Sequence, residues 1–182
     1  DVSVNNCRFL DNTTATSGGG ALLAKTEFGY GSATVTNSFF SGNGAVFGSG
    51  LYIAYPNINL QANTLTSNTL TGPTVGSDMG EGGGAFLSSS GGPVSIIDNT
   101  FSGNGTTTVE NCKGGGLRLN HSGIETSIVE GNIFDQNQLG DGGSGGGLYI
   151  SKIDGPVILL SNIFSQNAVG ADIGGTGGGG LY

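Results

Sequence analysis

The chain has 182 residues, enough for one ordinary domain with a real core, and 38 of them are glycine without the G-X-Y period of collagen. Charged residues make up 10%, five Lys plus Arg against 13 Asp plus Glu, for a net charge of −8. So few cations cannot neutralise a phosphate track, which excludes a nucleic-acid surface, and no apolar run of about 18 residues is present to span a membrane.

The first element runs from Val2 to Phe9, where Val2 and Val4 alternate with Ser3, and Asn12 follows Phe9 by three places. A glycine cluster, Gly18-Gly19-Gly20, then leads into an apolar strand opening at Ala21. This succession recurs down the chain. Phe9/Asn12 is followed by Phe40/Asn43, Leu65/Asn68, Phe101/Asn104, Phe134/Asn137 and Phe164/Asn167. The post-glycine strands open at Ala21, Leu51, Ala85, Leu117, Leu148 and Leu181, which are 30, 34, 32, 31 and 33 residues apart. A period of roughly 30–34 residues is the signature of a solenoid, whose repeats bury their apolar faces only against each other.

Within each repeat the periodicity is two. Five places before the Phe or Leu stand Val4, Val35, Leu60, Ile96, Val129 and Leu159, and seven before it Val2, Ala33, Ile58, Val94, Ser127 and Val157. The place between holds Ser3, Thr34, Asn59, Ser95, Ile128 and Ile158, so one face is apolar and the other more polar, above all early in the chain. The post-glycine strand alternates likewise, and a short third strand carries the Phe. The sequence therefore predicts an all-β fold, a right-handed parallel β-helix of about six rungs with three strands per turn, handedness following the general preference for right-handed crossovers. Glycine, Asn and β-branched residues disfavour helices throughout.

The glycine clusters read as sharp turns beside neighbouring rungs, since a phosphate-cradling loop needs a following helix and a Lys-Ser/Thr end that are missing here. Asn12, Asn43, Asn68, Asn104, Asn137 and Asn167 read as a stacked amide ladder. A second set, Asn63, Asn99, Asn132 and Asn162, shares its slot with Cys7 and Ser38. Phe9, Phe40, Leu65, Phe101, Phe134 and Phe164 form the apolar ladder. The two cysteines sit about three rungs apart, roughly 14 Å at ~4.8 Å per rung, which is too far for a disulfide unless a loop folds back. The expectation is a buried thiol at Cys7 and a loop thiol at Cys112.

These paired signatures resemble the repeats of the chlamydial polymorphic outer membrane proteins, marked by GGA[ILV] together with FxxN. FxxN is met at Phe9, Phe40, Phe101, Phe134 and Phe164, with Leu65 as the variant. GGA[ILV] is met literally by Gly19-Gly20-Ala21-Leu22 and relaxes to Gly83-Gly84-Ala85-Phe86 or Gly-Gly-Leu elsewhere. The resemblance covers the whole chain, although the family's membrane barrel is not in this sequence. It implies a surface-exposed or secreted β-helix and carries over no catalytic residue.

Function then has to sit on loops or outward faces. Asp78, Glu110, Asp141 and Asp172 recur at spacings of 32, 31 and 31. Stacked acids would hold Ca²⁺ between rungs, or form a solvated acidic edge that discourages aggregation; the absence of the nonapeptide calcium repeat favours the edge, so no cofactor is expected. The outward positions Leu22, Tyr52, Phe86, Arg118, Tyr149 and Tyr182 include an aromatic stripe (Tyr52, Phe86, Tyr149, Tyr182) that would dock glycans or a neighbouring subunit, or merely stabilise the sheet. Glycosylation sequons begin at Asn12, Asn104 and Asn120, the first two in the ladder position. Catalysis finds no foothold: His121 has no evident partner, no paired-Asp motif occurs, and Arg8, Lys25, Lys113, Arg118 and Lys152 are scattered.

Residues 1–182 thus read as one β-helix domain, uncapped at both ends, either a window cut from a longer β-helix or a protomer that stacks head to tail on itself. The opening Asp1-Val2-Ser3-Val4 is not a signal peptide, which implies a removed leader or an excerpt. The expected role is a non-catalytic extracellular or cell-surface structural protein. An adhesin passenger that binds glycans is the alternative, and a polysaccharide-degrading β-helix enzyme the distant third.

Overall fold

The computed structural model describes residues 1–24, 31–71, 80–151, 154–170 and 177–182. Every regular element among them is a strand. The chain visits four parallel sheets in rotation, and each visit lies beside the previous one. The first sheet holds Val2–Asn5, Ser32–Thr36, Asn57–Gln61, Val94–Ile97, Ser127–Glu130 and Val157–Leu160 in that order. The second holds Arg8–Leu10, Phe39–Ser41, Thr64–Thr66, Thr100–Ser102, Ile133–Asp135 and Ile163–Ser165. A third, of two-residue strands, runs through Gly44–Ala45, Thr69–Leu70, Gly105–Thr106, Gln138–Leu139 and Ala168–Val169. The fourth stacks the post-glycine strands Ala21–Ala24, Leu51–Ala54, Ala85–Ser89, Leu117–His121 and Leu148–Ser151, with Leu181 bridged to Leu148.

The second to fifth passes each make four strands where alternation predicts three. The added one follows the FxxN Asn directly. Two residues are too few to display a period of two, and Gly44 and Gly105 carry no side chain to display it with.

Three left-handed corners turn each pass. Between the first and second sheets they fall at Asn6, Asn37, Ala62, Asp98, Gly131 and Ser161, with φ from 50° to 65°. Between the second and third they fall at Asp11, Gly42, Ser67, Gly103, Gln136 and Gln166, with φ from 51° to 67°. Gly18, Gly48, Gly82, Gly114 and Gly145 turn the chain into the fourth sheet. Asn and Asp tolerate this conformation and glycine is free in it; Ala62, at φ 54°, holds it against its own Cβ.

Register keeps like on like. Phe9, Phe40, Leu65, Phe101, Phe134 and Phe164 are paired in succession across the second sheet. The rings stack nearly parallel, with centroids 4.7 Å apart for Phe9–Phe40, 4.9 Å for Phe101–Phe134 and 4.8 Å for Phe134–Phe164. Leu65 interrupts the column. The inward residues of the first, second and fourth sheets form one continuous core.

A second, smaller core lies under the third sheet, where Cys112 packs with Leu70 and Leu139. This reverses the expectation for the two thiols. Cys112 is fully buried because the segment before it folds onto Leu70, while Cys7 is exposed because it lies in the first pass, with no described strand beneath it. Both are free.

The glycine clusters answer a spatial demand. A Cβ on Gly116 would stand 2.6 Å from the Gly147 carbonyl oxygen and 3.0 Å from the Asn137 side-chain amide. Backbone and amide ladder meet there with no room for a methyl group.

Candidate functional site

Two amide ladders line the corners of the second sheet. Asn12, Asn43, Asn68, Asn104 and Asn137 each donate both backbone N–H and side-chain Nδ2–H to the Oδ1 of the Asn in the following pass, at 2.9–3.1 Å. The second amide hydrogen points the other way. Asn43, Asn68, Asn104, Asn137 and Asn167 give it to the carbonyls of Phe9, Phe40, Leu65, Phe101 and Phe134, at 2.8–3.1 Å. The other corner repeats the scheme from Asn63 through Asn99 and Asn132 to Asn162. Towards its start the scheme degrades. Ser38 donates its N–H to Asn63 Oδ1 and accepts the Cys7 N–H through its hydroxyl, so no carboxamide stands in the first two passes.

The outward column of the fourth sheet runs Leu22, Tyr52, Phe86, Arg118 and Tyr149 in register. Its members do not share one environment. Tyr52 and Phe86 meet edge to face at 5.1 Å, and Phe47 leans on Phe86 from the neighbouring column at 6.4 Å. The Arg118 guanidinium lies 5.3 Å from the ring centres of both Phe86 and Tyr149, a cation sandwiched where the column lacks an aromatic. Its Nη1 is ion-paired with Glu81. Lys113 places its ammonium 5.7 Å from the Tyr149 ring centre. Phe86 and Arg118 are 8% and 9% exposed, which closes the middle of the stripe to any ligand. Burial and the Glu81 carboxylate raise the Tyr52 phenol above its ordinary pKa.

The open part is at the far end, where Tyr149 and Tyr182 stack at 5.2 Å and 8°, with Tyr182 47% exposed. The four predicted aromatics thus fall into two pairs separated by Arg118. Sequence reading left out Glu81 and counted Lys113 among scattered cations; both follow Ser17 and Phe47 in a bridged column beside the stripe. Their signal was available in the constant offset of five residues ahead of Phe86 and Arg118.

Asp78 and Asp172 lie outside the described residues. Glu110 and Asp141 are exposed, and no group of three or more His, Cys, Asp or Glu is gathered among the described residues. Of the sequon asparagines, Asn12 is exposed, Asn120 half-buried and Asn104 only 2% exposed with its amide committed to the ladder. His121 is fully buried with Nε2 3.0 Å from the Glu125 carbonyl oxygen.

A shallow groove of about 400 Å³ crosses the first corner between Ser3, Asn5, Thr36, Asn37 and Gln61. Asn5 Oδ1 accepts there from the Thr36 hydroxyl at 3.0 Å and from Asn37 Nδ2 at 3.1 Å. The groove carries amides and hydroxyls and no charged side chain.

The chain matches no protein-family model, no curated protein and no solved structure. No helix among the described residues is long and apolar enough to cross a membrane.

Proposed function

We propose that the stacked sheets form a right-handed parallel β-helix of about six rungs, and that this rod is a non-catalytic structural element of the cell exterior, assembling end to end into a filament or stalk. The observation that carries this reading is the uniformity of the contact between passes. One amide ladder and one backbone register repeat from the first described strand of the second sheet to the last, so each added pass offers the next the surface on which it was itself laid. Such a surface is self-complementary by translation along the axis, the geometry that gives open fibres rather than closed rings. Neutral Ser, Thr and Asn in place of charge suits an extracellular setting.

Electron microscopy and sedimentation of the purified chain test the reading. Fibres with an axial repeat near six strand spacings, roughly 29 Å at ~4.8 Å each, are the expected result. Particles of monomer mass at every concentration would end it.

A second reading has its own observation. In the Tyr149–Tyr182 stack, Tyr182 is 47% exposed and offers a ring of the kind on which sugar rings lie, which supports an adhesin role. Saturable glycan binding lost in Tyr182→Ala would favour it over the filament.

A further inference from the structure

Two of the six ladder asparagines are followed by glycine, Asn43-Gly44 and Asn104-Gly105, and the dipeptide occurs nowhere else in the chain. Asn-Gly is a chemically labile pair, because the glycine nitrogen carries no side chain into its approach to the preceding carboxamide. The other four are followed by Thr13, Thr69, Gln138 and Ala168, whose side chains hinder that approach.

The fold immobilises the atoms that would react. The Gly44 N–H donates to the Asn12 carbonyl at 2.8 Å and the Gly105 N–H to the Asn68 carbonyl at 3.0 Å, so neither nitrogen is free to lose its proton. Both Nδ2 hydrogens of Asn104 are bonded, one to the Leu65 carbonyl at 2.8 Å and one to Asn137 Oδ1 at 3.0 Å. Its Oδ1 accepts from the backbone N–H and Nδ2 of Asn68. Asn43 is held in the same way by Asn12, Phe9 and Asn68. Asn43 is 0% and Asn104 2% exposed, which keeps solvent base away from both carboxamides.

We propose that Asn43 and Asn104 are latent deamidation sites, closed while the passes are stacked and released when they separate. In an opened pass the glycine nitrogen gives its proton to solvent base and attacks the asparagine Cγ. The N–Cγ bond forms, the Cγ–Nδ2 bond breaks, and ammonia leaves with a proton from water. Water then opens the cyclic imide at either carbonyl, leaving aspartate or isoaspartate. Neither product fits the ladder. An aspartate at position 104 has no hydrogen for the Leu65 carbonyl or for Asn137 Oδ1, and sets a buried charge against both oxygens. Isoaspartate lengthens the backbone by one carbon and displaces Gly105 from its pairing with Thr69 and Gln138. A chain that stays open long enough to react is thereby marked, and its unfolding becomes irreversible.

Packing fixes the labile pair at one site and leaves it optional at the other. Gly105 has φ 112°, and a Cβ there would collide with the Gln138 carbonyl oxygen. Gly44 is not in the left-handed region, and its Cβ would lie 3.4 Å from the methyl groups of Thr13 and Thr71, which is ordinary contact. Gly44→Ala is therefore compatible with the fold.

Peptide mass mapping tests the proposal on the full chain incubated at about pH 8, one sample native and one in urea. Deamidation follows the fraction of open passes, so at Asn43 and Asn104 it should be about a hundredfold or more slower in the native sample. In urea these two convert first, while Asn12, Asn68, Asn137 and Asn167 lag. Gly44→Ala, with its sheet content checked by circular dichroism, slows conversion at Asn43 in urea and leaves Asn104 unchanged. After dilution from urea, the refolded fraction isolated by size exclusion contains no chains converted at position 104. Native rates within about tenfold of those in urea would overturn the protection. Converted chains that refold in proportion to their number would overturn the irreversible mark.

Discussion

At the scale of single residues, the two thiols report how far local sequence can mislead. Cys7 occupies a slot that elsewhere holds a buried Asn, yet it is exposed; Cys112 follows a polar loop, yet it has no exposed surface. Burial, assisted by the Glu81 carboxylate and opposed by a backbone hydrogen bond at Gly80, pushes the Cys112 thiol up to about 11. The thiolate is the nucleophile, so at pH 8 Cys112 is both shielded and protonated. Alkylation of the native chain followed by peptide mass mapping should therefore modify Cys7 alone, and denaturant should release Cys112. The same shift has a thermodynamic consequence. The unfolded thiol titrates near its ordinary 9.0 and the folded one near 11, so the unfolded chain loses the proton first. The contribution is fully present below pH 9.0 and is lost as pH rises towards about 11, to the extent of roughly 2 kcal/mol. Denaturant melts of wild type and Cys112→Ala across that window measure it as the difference between the two slopes. Parallel slopes would refute the assignment.

At the scale of elements, the amide ladder is the feature that turns a row of short strands into a column. Asn104 accepts two hydrogen bonds from Asn68, donates two to Asn137 and one to the Leu65 carbonyl. Asn104→Leu keeps the volume and the backbone donor but strands the Asn68 backbone N–H, one Asn68 Nδ2–H and the Leu65 carbonyl away from water. Leaving three such groups unpaired costs about 3 kcal/mol or more, which a urea melt resolves; a loss under about 1 kcal/mol would mean that the ladder merely fills space. This part of the structure was legible because it repeats. Phe, Asn and glycine recur at one phase, so neither the parallel stacking nor the inward positions needed any tertiary information. Two things were not legible. The strands at Gly44–Ala45 and Gly105–Thr106 are too short for a period, and their pairing comes from the preceding Asn being locked in place. The division of the aromatic stripe depends on Glu81 lying beside Arg118, a contact between columns that no alternation within one strand encodes. Periodicity reports what a strand does along itself, and the candidate site is made by what adjacent columns do to each other.

At the scale of the whole molecule, a stack held by nearest-neighbour contacts has a stability that varies along its axis. The inward residues of the middle passes, such as Leu60, Ile96 and Val129, are fully buried, whereas Val2, Val4, Val157 and Leu159 in the outer strands of the same sheet are half-buried. Opening the outermost pass breaks one interface, while opening a middle pass breaks two. Amide exchange in dilute solution should therefore be slowest in Asn57–Gln61 and Val94–Ile97, and fastest in Val2–Asn5 and Val157–Leu160. Assembly changes this profile in a way that fold alone does not. If copies dock through their ends, the outer strands acquire the second interface they lack, and their protection rises with protein concentration while that of the middle strands stays fixed. Exchange measured by mass spectrometry over a hundredfold range of concentration separates the cases. Protection gained together in Val2–Asn5 and Val157–Leu160 is the outcome expected of head-to-tail stacking. Gain at one end alone would signify a symmetric pair, and a profile independent of concentration would leave each rod solitary.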